Sequence, residues 1–273
     1  MGPDPLTSPR SARVTQVRHL HDRRHRAVRG AFIVEGPQAV EAAGVRGVTE
    51  LFVTAAAAQR HADLVAAQRA LGAHVTLASD DVIAAMSETR QSQGILAVCP
   101  LVTTPLATLL AGVTDNPGPP PLLVVLDQVS NPGNAGTVIR SAHALGASGV
   151  IMTRGSVDPH NGKCVRSTAG SLFHLPISDG VTDTDAIASC RAAGVSILTA
   201  EAAGTVDLDG PEAGPVLRGP VAWVFGSEAH GVDAQWRDAA DASVRIPMLA
   251  SAESLNMAAA AAICLYATAR ARR

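Results

Sequence analysis

Asn131, Arg140, Glu228, Ser254 and Asn256 are the polar residues whose placement could do chemistry. Each stands in or just after a small polar loop that separates an apolar strand-like run from a helix-like run. LLVVLD runs into Asn131-Pro-Gly-Asn-Ala-Gly136 and AWVF into Gly226-Ser-Glu-Ala-His-Gly231, while RIPM leads after a short loop into Glu253-Ser-Leu-Asn256. Strand-to-helix loops at the edge of an open sheet are where α/β proteins hold ligands, so three of them could surround one. The glycines of the first loop let backbone approach a ligand closely, and its amides could grip an anion or a nucleobase edge. Glu228 would bring a carboxylate to the same mouth. Each feature also has a plainer use: a Gly-containing turn, helix caps at Ser227, Ser254 and Asn256, a dipole partner in Glu228, a surface ion pair for Arg140. Joint occurrence at three successive sheet edges is what favours a shared site. The loops match neither GxGxxG nor a phosphate loop ending in GKS, which removes the main support for a nicotinamide-dependent oxidoreductase or a nucleotide triphosphatase.

The elements that must position these loops follow from the apolar pattern. The run Gly112-Val-Thr-Asp-Asn-Pro-Gly-Pro-Pro-Pro121 fixes φ and removes backbone donors, so it is expected to be a linker. It divides the chain into an N-terminal domain 1–111, whose first 29 residues form a basic leader, and a C-terminal domain 122–273. In the first, AFIVEG, ELFVT, AHVTLA and GILAVC read as short strands between helix-like runs such as Pro37 to Ala43 and Ala58 to Leu71, a compact α/β arrangement. In the second, LLVVLD, GVIM, VSILTA, AWVF and SVRI alternate with helical segments, which predicts a mainly parallel sheet with helices on both faces. Val138, Ile139, Ala142 and Leu145 have helical spacing and Gly146 supplies a stop, leaving Arg140 off the apolar stripe.

At 273 residues and 47% hydrophobic, the chain can bury a full core. Its formal charge of −2 argues against coating nucleic acid by bulk electrostatics. The distribution is uneven, however. Arg10, Arg13, Arg18, Arg23, Arg24, Arg26 and Arg29 lie beside His19, His21 and His25 with only Asp22 as a local acid, a cluster suited either to phosphates or to simple solvation. Lys163 is the one lysine among 22 basic residues. Cys99, Cys164, Cys190 and Cys264 are scattered without a CxxC pair, so neither zinc nor a disulfide framework is expected, and a reducing, cytoplasmic setting is. No signal peptide is legible, and the Ala-rich run Leu255 to Ala269 reads as a buried helix rather than a membrane span.

NPGNAGTVIRSAHALGA, VFGSEAHGV and IPMLASAESLNMAAAAAI resemble, in order, the three motifs of the SpoU (TrmH) family, the RNA ribose 2′-O-methyltransferases of the SPOUT class. FIVEGPQAV and QGILAVC are similar to the small ribosomal-protein-like RNA-binding domain attached to many members, including thiostrepton-resistance-type rRNA methyltransferases. The resemblance implies an S-adenosylmethionine site built on a deep C-terminal trefoil knot. It implies that Gly226, Ile246 and Leu255 hold the cofactor through backbone, with Ala200 and Met248 beside them. Asn131, Arg140, Glu228, Ser254 and Asn256 correspond to the polar positions around the reacting ribose. Ala258 stands where members usually carry a small hydroxyl residue, a departure that bears on local helix packing only. DPHNGKCVRSTAG is similar to the stretch between the first two motifs, so Lys163 and Arg166 are expected to meet substrate phosphates, together with Arg18, Arg23, Arg24 and Arg26. Structured RNA is the implied partner, with 23S rRNA favoured over tRNA, and homodimerisation through the C-terminal domain is the implied assembly. A noncatalytic RNA-binding member is the competing reading, against which the intact polar motif positions argue.

Methyl transfer to a ribose hydroxyl needs the oxygen held in line and its proton removed. The resemblance gives Arg140 the activating role. A guanidinium is a poor base, so Arg140 is expected to fix a phosphate and stabilise developing alkoxide, with a phosphate oxygen or water taking the proton. Asn131 and Asn256 would orient the ribose and the loops, and Glu228 would hold the cleft or Arg140. RNA rather than DNA follows from the need for a 2′-hydroxyl.

Overall fold

The computed structural model describes residues 5–114, 118–249 and 254–273 and divides into two compact units, 1–102 with 160–174, and 103–159 with 175–273.

The first unit contains a four-stranded sheet of β1 (Ala31–Glu35), β2 (Glu50–Val53), β3 (His74–Leu77) and β4 (Ile95–Pro100), in the order β1-β4-β2-β3. β4 runs antiparallel to both neighbours, and β2 pairs β3 in parallel. One face buries Val14, Val17, Ile33, Phe52, Val82, Ile83 and Leu96. The basic leader is helical over Ala12–Arg18 and Arg23–Arg29 because alternate turns present Val14, Val17 and Leu20 to that core, while Ser11 and Asp22 cap the helix starts. The expected Ala58 to Leu71 helix is two helices, Ala55–Arg60 and Ala62–Ala70, broken at His61, where φ −120° and ψ 41° leave the helical region.

Residues 160–174, which the sequence reading assigns to the C-terminal domain, cluster instead with the first unit. Their apolar members explain the assignment. Phe173 stacks on Phe32 at 6.1 Å between ring centroids, His160 lies 4.6 Å from the same ring, and the Arg46 side chain donates to the Phe173 carbonyl at 3.0 Å.

The second unit is built on seven strands, β5 (Leu122–Leu126), β6 (Gly149–Thr153), β7 (Ile177–Val181), β8 (Ser196–Ala200), β9 (Val206–Asp207), β10 (Val221–Phe225) and β11 (Ala242–Arg245). Their order is β7-β6-β5-β10-β8-β11-β9 and every pairing is parallel. β5, β6 and β10 are buried at every position, which is why they read as continuous apolar runs. β7 and β9 escape sequence reading, β7 because Ser178, Asp179 and Gly180 interrupt its apolar pattern and β9 because it is two residues long.

The expected linker is not the point at which the units divide. The helix Leu106–Thr114 overlaps its start and contributes Leu109, Leu110 and Val113 to the core of the second unit, so the chain changes units between Val102 and Thr103. Leu106, Leu109, Leu110 and Val113 have the i, i+3, i+4, i+7 spacing of one helical stripe. Residues 115–117 of the expected linker lie outside the described residues.

From β5 the chain moves outward through β6 to β7, then returns to β8, leaving a place that β10 later fills between β5 and β8. The carboxyl ends of β5, β10 and β8 therefore meet where the strand order reverses, the position at which open α/β sheets place ligands.

Candidate active site

Three loops converge at that edge. The first leaves β5 through Asp127 and Gln128, the latter at φ 52°, a left-handed conformation uncommon for a residue with a side chain. The turn is held by the Gln128 N–H donating to Thr153 Oγ1 at 3.1 Å and the Val129 N–H donating to Ser156 Oγ at 3.2 Å. It ends at Asn131, which caps the helix Pro132–Ala144 by accepting from the Gly133 and Asn134 N–H groups at 2.9 and 3.2 Å. The Asn131 oxygen is thus committed to its own helix.

The residue that reaches the other loops is Asn134. Its side-chain amide donates to Glu228 Oε1 in the loop after β10, and its side-chain oxygen accepts from Asn256 Nδ2 at 3.3 Å. Asn256 in turn caps the C-terminal helix Met257–Ala271, accepting from the Ala258 and Ala259 N–H groups at 3.0 and 3.3 Å. One side chain therefore joins all three loops. The family resemblance singles out Asn131 and not Asn134; the signal for Asn134 is its i, i+3, i+6 alignment with Thr137 and Arg140 on the polar side of the same helix.

The second loop is shaped by its glycines. Ser227 and Gly231 pair across it, the Gly231 N–H donating to the Ser227 carbonyl at 2.9 Å and the His230 N–H to Ser227 Oγ at 3.2 Å. A Cβ on Gly226 would collide with the backbone of Gly231 and Val232, so the tight closure requires glycine at 226.

Between the second and third loops lies a cavity of about 590 Å³ at the carboxyl ends of β8, β10 and β11. All five residues expected at a cofactor, Ala200, Gly226, Ile246, Met248 and Leu255, line it, as do Glu228, Ser254 and Asn256. Glu253 of the third loop lies outside the described residues. Small and apolar walls suit a flat heterocycle and a short aliphatic chain, and the volume falls within the usual range for cofactor sites. Glu201, His230 and Arg237 add polar groups that sequence reasoning did not select. Arg237 is anchored to the Val232 carbonyl at 2.7 Å, and Glu201 accepts from the Ser243 hydroxyl at 3.3 Å. Arg140 is exposed on the helix after the first loop and has no ion-pair partner among the described residues.

Asp127, at the end of β5, is 1% exposed. Burial raises its carboxyl above the usual range, and the Asp183 and Asp233 carboxylates add to this. Hydrogen bonds from the Asp233 N–H at 2.8 Å and the Thr153 hydroxyl at 3.4 Å work in the other direction. A charged residue closing an otherwise continuous apolar run was its only mark in the sequence.

The residues expected to meet RNA fall into distinct settings in the first unit. Arg18, Arg23, Arg24 and Lys163 are exposed. Arg26 is not available to phosphate: it is 3% exposed, and its guanidinium donates to the Leu20 and His21 carbonyls at 2.9 and 2.8 Å, so it braces the turn between the two leader helices. Arg166 is half-buried and paired with Glu35 and Glu88 at 3.5 and 3.2 Å. Arg13 and Arg29 share Glu50, an acid that the local sequence of the leader does not reveal. His19 and His25 lie with ring centroids 4.7 Å apart.

Comparison with known proteins places this arrangement. Residues 121–266 match the profile of the SpoU rRNA Methylase family. The chain belongs to that family. Residues 11–97 match the MRM3-like substrate binding domain. Among SpoU relatives, the 23S rRNA (guanosine(2553)-2′-O)-methyltransferase RlmP of Bacillus subtilis is 30% identical over 266 residues, covering 96% of this chain and 97% of its own. An AdoMet-bound rRNA methyltransferase from Sinorhizobium meliloti superposes with a TM-score of 0.82 at 30% identity, over 98% of this chain and 97% of its own. The SpoU methyltransferase AviRb from Streptomyces viridochromogenes, in complex with AdoMet, gives 0.81 at 30% identity over 96% and 98%.

Proposed function

We propose that this SpoU protein transfers a methyl group from S-adenosylmethionine to a ribose 2′-hydroxyl of structured RNA, with 23S rRNA as the substrate. The observation that carries the reading is a cofactor-sized cavity walled by the second and third loops, whose Glu228 and Asn256 are both bonded to Asn134 of the first. The names of the relatives, an rRNA 2′-O-methyltransferase and AdoMet-bound enzymes, support the same chemistry.

Gly226, Ile246, Leu255, Ala200 and Met248 would hold the cofactor, whose sulfonium supplies an electrophilic methyl group. The chain's own residues do the positioning. Asn134, Glu228 and Asn256 fix the loops around the reacting centre, and Ser254 lines the cavity beside them. Arg140 presents a planar fork of donors that orients an RNA phosphate and stabilises developing negative charge on the ribose oxygen, while a phosphate oxygen or water removes the proton. Arg18, Arg23, Arg24 and Lys163 are the exposed cations assigned to RNA phosphates.

The domain roles, knot and assembly belong to the same reading. The first unit binds substrate RNA and the second carries the transfer reaction. The C-terminal segment after β11 forms a trefoil knot, and two copies meet through the second unit. Ile263 and Tyr266 on the last helix are 39% and 55% exposed and Leu249 is 82% exposed, apolar surface that a second copy would cover. Four buried free cysteines suit a cytoplasmic setting. Among the described residues no helix is long and apolar enough to cross a membrane.

The test is a map of 2′-O-methyl positions in rRNA and tRNA from cells with and without the protein, paired with methyl transfer by the purified chain to 23S rRNA. Loss of one 23S position, restored in vitro, is the expected result. Loss of a tRNA position would move the substrate, and no change in either RNA would reject the reading.

A further inference from the structure

The loop Gly226–Val232 walls the cavity, yet most of its side chains are exposed, so its shape must be set at its base. Both ends of that base meet one residue. The carbonyl of Phe225, immediately before the loop, accepts from the Asp127 backbone N–H at 2.9 Å. The N–H of Asp233, immediately after the loop, donates to Asp127 Oδ2 at 2.8 Å. Asp127 Oδ1 accepts from the Thr153 hydroxyl at 3.4 Å, which adds the end of β6 to the same junction.

We infer that Asp127 is a positioning residue for methyl transfer, a clip that holds both ends of the Gly226–Val232 loop and so fixes the aperture of the cofactor cavity. The inference rests on the reading of that cavity as the S-adenosylmethionine site.

Three observations support it. Asp127 is 1% exposed at the base of the loop, so a carboxylate is kept where desolvation opposes it and an apolar residue would extend the buried strand. The loop has no slack: Gly226 faces the Gly231 and Val232 backbone at a separation that leaves no room for a Cβ, so movement of Asp233 would be passed to Val232 and then to Gly226. Asp127 also begins the turn that leads to Asn131 and to Asn134, whose amide donates to Glu228, so the first loop leaves the sheet from the residue that meets both ends of the second.

Titration calorimetry with S-adenosylmethionine on the full-length chain tests the clip. Wild type comes first, and failure of wild type to bind would reject the cofactor reading itself. Given binding, Asp127→Ala is expected to weaken affinity about tenfold, the effect of losing a hydrogen bond to a charged acceptor. Asp127→Asn, whose amide oxygen can still accept from the Asp233 N–H, is expected to restore most of it. Asp233→Pro removes that N–H at a residue whose φ is already −62°, and Asp233→Ala keeps it while removing the helix cap. Their difference reads the N–H alone and is also expected to be about tenfold. Turnover at saturating cofactor should fall much less than apparent affinity, a split that a general loss of stability would not produce. Wild-type affinity in Asp127→Ala and in Asp233→Pro would overturn the inference; if Asp127→Ala does not fold, the Asp233 pair decides it.

Discussion

The Asn256 side-chain amide donates to the Asn134 side-chain oxygen at 3.3 Å, so the cap of the last helix is also a strut to the first loop. Asn256 uses its oxygen for its own helix and its nitrogen for the neighbouring loop. An asparagine can do both because it carries a donor and an acceptor on one planar group. Capping its own helix and contacting the first loop are, for Asn256, a single arrangement in the structure.

Asn134 and Asn131 should therefore separate on mutation. Asn134→Ala removes the junction of three loops and is expected to lower kcat/KM about hundredfold, the order expected when reacting groups lose their alignment. Asn131→Ala removes a helix cap and is expected to cost about 1 kcal/mol of stability with a smaller kinetic effect. Denaturant unfolding and single-turnover methylation on both variants check the pair. Equal kinetic losses would deny Asn134 its special place.

Arg140 is exposed and unpaired among the described residues, a position suited to meeting an incoming anion. Arg140→Lys keeps the charge and loses the planar fork. Turnover is expected to fall about hundredfold, in line with loss of a donor to developing negative charge, while cofactor affinity by calorimetry stays unchanged. Near-full turnover in that variant would remove the bidentate role.

Among the described residues, nine of the eleven strands are legible in the sequence because buried parallel strands are continuous apolar runs and the short strands of the first unit are bounded by polar breaks. β7 was lost because Ser178, Asp179 and Gly180 break its pattern. The proline-rich run and the change of compact unit fall at different places because proline marks where regular structure stops and says nothing of which core the preceding helix joins; Leu109 and Val113 decide that through tertiary packing. The cavity wall was readable in Gly226, Ile246 and Leu255, which lie in the motif loops. Asn134, Asp127 and the inward turn of Arg26 were not, since each depends on partners that only folding brings together.

Asp127 should leave a signature in the pH dependence of stability. Its carboxyl is raised above the ordinary value of 3.8, chiefly by burial, so the folded state holds the proton more tightly than the unfolded state. Its contribution is therefore fully present below the unfolded value and is lost as pH rises through the raised one. At neutral pH the ionised group opposes folding. Asp127→Asn is expected to raise the melting midpoint at pH 7, with the gain shrinking as pH falls toward 3.8. Thermal melts of both proteins across that range check the sign, and a gain that grows on acidification would contradict it.

Gly226 and Gly231 belong to the same loop but are required for different reasons, close contact at one and backbone angle at the other. At Gly226 the backbone angles are open to any residue, yet a Cβ would collide with Gly231 and Val232. Gly226→Ala must therefore push the two sides of the loop apart and distort the wall of the cavity, with an overpacking cost of about 1–3 kcal/mol and a large loss of cofactor affinity. Gly231 has φ 69° and open space around it, so its demand is conformational. Gly231→Asn, a residue that tolerates the left-handed region, should leave affinity within a few-fold of wild type, whereas Gly231→Val should not. Calorimetry across these three variants distinguishes a loop held by close backbone contact at one glycine and by backbone angle at the other from a loop that is merely flexible, in which all three would bind alike.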